Sequence, residues 1–205
     1  MTNASTFPVV PTISFNQAKL CIQSGDLLFG SGSTLFARLI KEGTNSIWSH
    51  IGMLLQLNDV NINRVMMMES VESIGVRSVP LEHYVNNYNG TGKGYGGKIM
   101  VARYNNFPMD NISPIIAKSI DLLGDSYSSD DILKIATRIS LFSVSKIKLI
   151  GDVHDSNGYI CSEYVAACYK EGGIDIPYNV AGYIAPSDFA LCKDITPLFY
   201  IDNGA

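Results

Sequence analysis

Segments with strand character crowd into residues 25–104 of the 205-residue chain, and segments with helical periodicity follow them. Strands and helices segregated in this way form an α+β domain around an antiparallel sheet, because parallel βαβ crossovers need the two to alternate. Gly25-Asp26-Leu27-Leu28-Phe29-Gly30 reads as a short buried strand with glycine at both ends. Ser33 or Thr34 then caps a helix carrying Leu35, Phe36, Leu39 and Ile40, which stops near Gly43. His50 to Leu57 and Arg64 to Ser70 read as a strand pair, with a long turn over Leu57 to Asn61. Val76 to Val79 and Lys98 to Tyr104 are further strands; between them lie a short helix from Pro80 to Tyr88 and a flexible loop from Gly90 to Gly97. Helices are then predicted from Ser113 to Leu123, from Ser128/Ser129 into Ile135, from Ile160 to Glu171 and from Pro186 to Leu191. The expected architecture is a small, mainly antiparallel sheet packed with helices.

At 46% hydrophobic and 17% charged residues, the chain can bury a sizeable core and is not intrinsically disordered. It divides into a lead-in, residues 1–20, and one domain, residues 21–205; the first 15 residues, rich in Thr, Ser, Pro and Asn, are expected to be loosely ordered. A formal net charge of −4 argues against a nucleic-acid partner, which would require a basic face. No apolar run approaches the ~18 residues of a membrane span. No secretory signal is visible either, so a cytoplasmic location is the simplest inference. The four cysteines, Cys21, Cys161, Cys168 and Cys192, contain no CxxC and do not make a disulfide scaffold. The oligomeric state is left open.

Three residues could carry chemistry. Cys161 falls at the first turn of the Ile160–Glu171 helix. There the helix dipole and exposed amides favour thiolate and could stabilise an oxyanion. Core packing is the competing reading, since Cys161, Tyr164, Val165 and Cys168 form an i, i+3, i+4, i+7 stripe. His50 sits where a loop enters a strand, a rigid place open to a cleft, which suits a general base; a surface or capping histidine is the plainer alternative. Glu69 ends the apolar strand Met66-Met67-Met68 and could orient the imidazole if the two strands pair, or could simply face water. His83 is expected on an exposed helix face and His154 in a loop. The Gly30-Ser31-Gly32-Ser33 turn and Gly92-Lys93-Gly94 lack the spacing of phosphate loops. A zinc site from Cys161, His50, Glu69 and His154 has no close-spaced ligand pair to support it, so neither a metal nor a cofactor is expected.

Gly25-Asp26-Leu27-Leu28-Phe29, then Ser49-His50-Ile51-Gly52-Met53-Leu54-Leu55, then Met67-Met68-Glu69-Ser70 resemble, in that order, the signature segments of the papain-like NlpC superfamily. Gly75-Val76-Arg77-Ser78 and a Tyr84-containing helix fit the pattern that follows. The helix-opening cysteine comes last, which resembles the circularly permuted YiiX-like and orthopoxvirus-type branch, distantly related to the lecithin:retinol acyltransferase group. Leu123-Gly124-Asp125-Ser126-Tyr127 is similar to the branch's G-x-x-Y segment, and Cys161-Ser162-Glu163 to its nucleophile segment. The resemblance covers roughly residues 20–192. It implies a papain-like cysteine peptidase or amidase with Cys161 as nucleophile, His50 as base and Glu69 as the orienting residue, with Tyr127, Ser162 and Glu163 toward substrate or oxyanion. Glutamate stands where many relatives carry histidine.

The implied reaction is amide or isopeptide hydrolysis of a small peptide, cell-wall-type and γ-glutamyl-like, through an acyl-enzyme. An acyl-lipid hydrolase or acyltransferase is the alternative, with Ile47, Trp48, Met66, Met67 and Met68 as a lipid-facing wall; a non-catalytic binding module is a third reading. A peptide substrate with a free ammonium would need a carboxylate, for which Glu163, Asp125 and Asp155 are rivals.

Overall fold

A computed structural model describes residues 4–72, 74–128, 158–179 and 182–204. Strand β1 (Thr12–Ile13) and helix α1 (Phe15–Cys21) precede β2 (Leu27–Gly32) and α2 (Leu35–Gly43). The long hairpin β3 (His50–Asp59) and β4 (Ile62–Val71) leads to β5 (Gly75–Pro80), α3 (Glu82–Asn86) and β6 (Gly97–Tyr104). Helices α4 (Ser113–Asp121), α5 (Cys161–Glu171) and α6 (Pro186–Leu191) come next, and β7 (Ile195–Ile201) closes the chain. The strands form one seven-stranded sheet in the order β1-β7-β6-β2-β3-β4-β5. Every neighbour pair is antiparallel except β1 with β7.

Period-two alternation divides the side chains between two cores. Leu27, Phe29, Ile51, Met53, Met68 and Met100 point to the face covered by α5, where they meet Tyr164, Val165, Cys168 and Tyr169. Leu28, Leu54, Val65, Met67 and Val101 point to the other face and pack with Ala18 of α1, Leu81 and Tyr84. The continuous run Met66-Met67-Met68 therefore serves a strand buried on both sides. Trp48 and Met68 are core residues, and neither lines the cleft that holds Cys161 and His50, which corrects the lipid-facing role expected of them there.

Three further expectations are corrected. The β3–β4 connection is a tight turn: Asp59 pairs with Ile62, leaving only Val60 and Asn61 between the strands. Its polar flank, Asn58 to Asn63, hides the strand signal, but the ladder carries the pairing past the sheet body. The lead-in is not loose from residue 4 onward, where the described residues begin. Thr12 and Ile13 pair with Tyr200 and Ile201, and Phe7 stacks edge-on against Trp48 at 5.8 Å. Both β1 and β7 escaped the sequence reading, because a two-residue strand has no period and Pro197 breaks the strand signal of β7. Within the loop expected to be flexible, Tyr95 is buried against Tyr84 and Tyr88. The helix predicted over 130–135 lies outside the described residues.

Two local features hold the site segments in place. Thr34 caps α2 by accepting the Ala37 amide at 3.1 Å. Gly75 has φ +92°, and a Cβ there would lie 2.1 Å from the Asp125 carbonyl oxygen. Only glycine lets β5 begin so close to the segment that carries Tyr127, and Val76 N–H then donates to that same carbonyl at 2.8 Å. Among the described residues, no helix is long and apolar enough to cross a membrane.

Candidate active site

Glu69 lies on β4 directly opposite Arg77 of β5. Its side chain is 0% exposed, so the protein must replace all of its hydration. Oε1 accepts from Arg77 Nε at 2.9 Å and lies 2.8 Å from Arg77 Nη2. Oε2 faces His50 Nε2 at 2.6 Å and also accepts from the Tyr84 hydroxyl. Burial alone would raise the Glu69 pKa. The His50, Arg77 and Tyr84 contacts outweigh it and hold the carboxyl below its ordinary range.

His50 starts β3, and its side chain keeps 14% exposure. Burial alone would lower its pKa, but hydrogen bonds to the Cys161 thiol and to Glu69, with the charges of both, raise it to about 10. With Nε2 engaged by Glu69, Nδ1 is the ring nitrogen left to serve Cys161, which lines the same cleft.

Cys161 is the first residue of α5, preceded by Ile160 in extended conformation, and is 4% exposed. The strand side fixes the approach to this helix: Ser70, next to Glu69, donates to the Tyr159 carbonyl at 2.6 Å. Gly158 forms a parallel bridge with Ser126, and Tyr159 N–H donates to the Ser126 carbonyl at 3.1 Å. One knot of hydrogen bonds thus ties together the Cys161 helix, the Glu69 strand and the Tyr127 segment. Tyr164 and Tyr169 dock the helix further along, donating to the Ser119 carbonyl at 3.0 Å and the Gly25 carbonyl at 2.6 Å.

Cys161, His50 and Tyr127 line one cleft of about 340 Å³. Burial, then the charges of Cys161, Glu72 and Glu163, raise the Tyr127 pKa, so its phenol remains an O–H donor. Among the described lining residues, Glu72 is the one carboxylate and none is Lys or Arg. Ser162 and Glu163 do different work from the substrate contacts expected of them. Ser162 Oγ donates to the Ile184 carbonyl at 2.7 Å, and the buried Glu163 accepts the Ile160 amide at 3.2 Å, an N-terminal cap. Asp125 acts through its backbone carbonyl on Val76. His154 and Asp155 lie outside the described residues, and among the described residues no group of three or more His, Cys, Asp or Glu could hold a metal ion.

The sequence reading missed Arg77, Tyr84, Ser70 and Glu72 as parts of this site. Arg77 and Tyr84 stood in segments already matched to the signature, but a cross-strand register was needed to aim them at Glu69. Glu72 carried no signal beyond its place in a turn.

The fold and the ordered segments agree with comparisons to known proteins. No curated protein matches the chain. A crystal structure described as metalloprotein YiiX from Escherichia coli O157:H7 shares the fold, at TM-score 0.59 and 18% identity, over 86% of this chain and 96% of that one. Residues 21–134, which include His50, Glu69 and Tyr127 but end before Cys161, match the permuted papain-like amidase enzymes, YaeF/YiiX, the C92 family of cysteine peptidases and amidases. The match spans more than half of the chain, and the chain belongs to this permuted papain-like amidase family.

Proposed function

We propose that the chain hydrolyses an amide or isopeptide bond of a small peptide, with Cys161 as nucleophile, His50 as base and acid, and Glu69 as orienter. The observation that carries this reading is His50 itself, held between thiol and carboxylate with its pKa raised to about 10. Cys161 gives its proton to His50 and attacks the carbonyl carbon as thiolate, leaving the imidazolium. The tetrahedral oxyanion faces amides at the start of α5 and the Tyr127 hydroxyl. Imidazolium donates its proton to the leaving amine, and the amine departs from a thioester. Neutral His50 then takes a proton from water, hydroxide attacks the thioester, and the thiolate–imidazolium pair is restored as the acid leaves. The catalytic unit in this reading is residues 21–205.

Glu72 supports a substrate bearing an ammonium near the scissile bond, since the described cleft lining offers that carboxylate and no basic side chain. A γ-glutamyl-type peptide with a free N-terminus fits this chemistry. An acyl-lipid substrate is the second reading. It is favoured by Leu35, Leu39 and Ile74, which are 77%, 56% and 55% exposed, on or beside elements that line the cleft. Parallel assays on γ-D-glutamyl dipeptides and medium-chain esters, with Cys161→Ala as control, test both. Peptide turnover that the control abolishes supports the proposal; ester turnover alone replaces it with the lipid reading; turnover that survives Cys161→Ala removes both.

A further inference from the structure

We infer that Arg77 and Tyr84 are positioning residues of this site: together they keep the Glu69 carboxylate ionised and aimed so that Oε2 stays on His50 Nε2. The inference rests on the roles proposed above for Cys161, His50 and Glu69.

A glutamate side chain has a free last torsion, and either oxygen could meet His50. In this site the choice is made by Arg77. Both its Nε and its Nη2 converge on Oε1, at 2.9 and 2.8 Å, which leaves Oε2 to the imidazole. Arg77 is itself anchored, because Nη2 donates to Asn89 Oδ1 at 3.1 Å and Asn89 sits in a left-handed turn at φ 51° on the cleft wall. Tyr84 supplies the second donor to Oε2. Its ring is locked between Tyr88 and Tyr95, with centroids 4.9 and 5.4 Å away, so its hydroxyl has one direction to point. The sheet explains the arrangement: β5 puts Arg77 opposite Glu69, and the helix that follows β5 folds Tyr84 back over the same strand.

The chemical consequence has a definite sign. The groups facing Glu69 are His50 from β3, Arg77 from β5 and Tyr84 from α3, with Tyr88, Tyr95 and Tyr164 near enough to be coupled by charge. The tyrosines are neutral, so among the described groups that face Glu69, Arg77 is the one standing cation besides His50. Without Arg77 and Tyr84, a carboxylate with no water contact keeps a single donor, and burial pushes its pKa upward. Once protonated it no longer holds the His50 cation, and Cys161 loses its partner. Protonation of Glu69 is then the event that switches the thiol off in acid. If Arg77 and Tyr84 only brace β5 and α3, the pH at which the thiol switches off does not depend on them.

The test follows Cys161 alkylation by iodoacetamide from about pH 4 to 9 in the full chain, read by mass spectrometry, and so needs no knowledge of the substrate. Arg77→Met, Tyr84→Phe and the double variant are compared with Glu69→Gln. We expect each single change to move the acidic limb of the rate upward by about one pH unit, the double change to move it further, and the parent rate to return at high pH. Glu69→Gln is slow throughout, and Arg77→Lys, which keeps the charge without the fork, lies between Arg77→Met and the parent. Tyr84→Phe keeps the ring stack and carries the test if Arg77→Met does not fold. Coincident limbs overturn the inference, as do variants slow at every pH with native circular dichroism. A parent Cys161 no faster than Cys21 is a different failure: it removes the site reading itself, and the inference with it.

Discussion

His50 Nε2 and Glu69 Oε2 meet at 2.6 Å across adjacent strands, as diagonal neighbours. The β3–β4 register places Met53 opposite Met68, so its continuation sets Glu69 across from Gly52, with His50 two residues further on the same face. A Cβ on Gly52 would lie 2.3 Å from Met67 Cε and 2.8 Å from the Met68 carbonyl. The glycine in Ser49-His50-Ile51-Gly52 is thus what lets the two strands close up beneath the ion pair. Gly52→Ala should lower thermal stability and Cys161 alkylation together; a stable variant with unchanged alkylation would show that the strands tolerate the extra carbon.

The pair makes stability depend on pH with a predictable sign. His50 is raised from 6.5 to about 10 in the folded chain, so its contribution is full below 6.5 and fades as pH rises through about 10. Glu69 is lowered from 4.5, so its contribution is full above 4.5 and is lost as pH falls through the folded value. The pair stabilises most between 4.5 and 6.5. Melting temperature should fall between neutral pH and pH 10 in the parent and fall less in His50→Gln. Parallel curves for the two proteins would mean that His50 is not held as a cation.

Glu69→Gln should cost both activity and stability. Loss of the orienting anion typically reduces kcat by about 10²–10⁴-fold. The change also leaves Arg77, whose side chain is 16% exposed, facing a neutral group, and breaking a buried pair of this kind costs up to about 3–5 kcal/mol. Urea unfolding checks the second figure. A variant of parent stability would mean that water enters to solvate Arg77.

The four thiols should separate under limited iodoacetamide near neutral pH. Cys161 is expected to label first despite its 4% exposure, because His50 is its hydrogen-bond partner and it opens α5. Cys21 is exposed and follows. Cys168 is buried, and burial pushes its pKa up to about 12, so it should stay unlabelled until the chain unfolds. Cys168 labelling as fast as Cys161 would mean that α5 opens locally.

Much of the site was legible because its residues mark element boundaries. Cys161, His50 and Glu69 stand where a helix starts, a strand starts and an apolar strand turns polar, and glycine, capping and periodicity signals mark such places in one dimension. Arg77 and Tyr84 were harder because their meaning is relational. Arg77 looks like any polar residue on an edge strand until the β4–β5 register sets it against Glu69. The capping role of Glu163 was legible as a first-turn acid on a helix, whereas Ser162 reaching the Ile184 carbonyl depends on a loop that no local pattern places. Likewise β1 gains its strand character from β7 at the other end of the chain, and β7 gains its own from pairing along its length with β6.

Substrate charge provides the last prediction. Glu163 and Asp125 were rivals for an ammonium, but Glu163 caps α5 from a buried position and Asp125 is used through its backbone, while Glu72 lines the cleft with Cys161 and His50. An exposed carboxylate paired with a substrate ammonium contributes modestly, so Glu72→Gln should raise KM for an amino-free γ-D-glutamyl peptide by about two- to fivefold with kcat nearly unchanged. The N-acetylated peptide cannot form the pair, and its KM should be the same for parent and variant. Asp125→Asn should leave both substrates unaffected. High salt should shrink the difference between the two peptides, because solvent screens the pair. If acetylation makes no difference to the parent, Glu72 does not face the substrate ammonium. If medium-chain esters also turn over faster than any peptide, the exposed Leu35, Leu39 and Ile74 become the substrate-facing surface, and Leu35→Ser with Leu39→Ser should then lower ester turnover while sparing Cys161 alkylation.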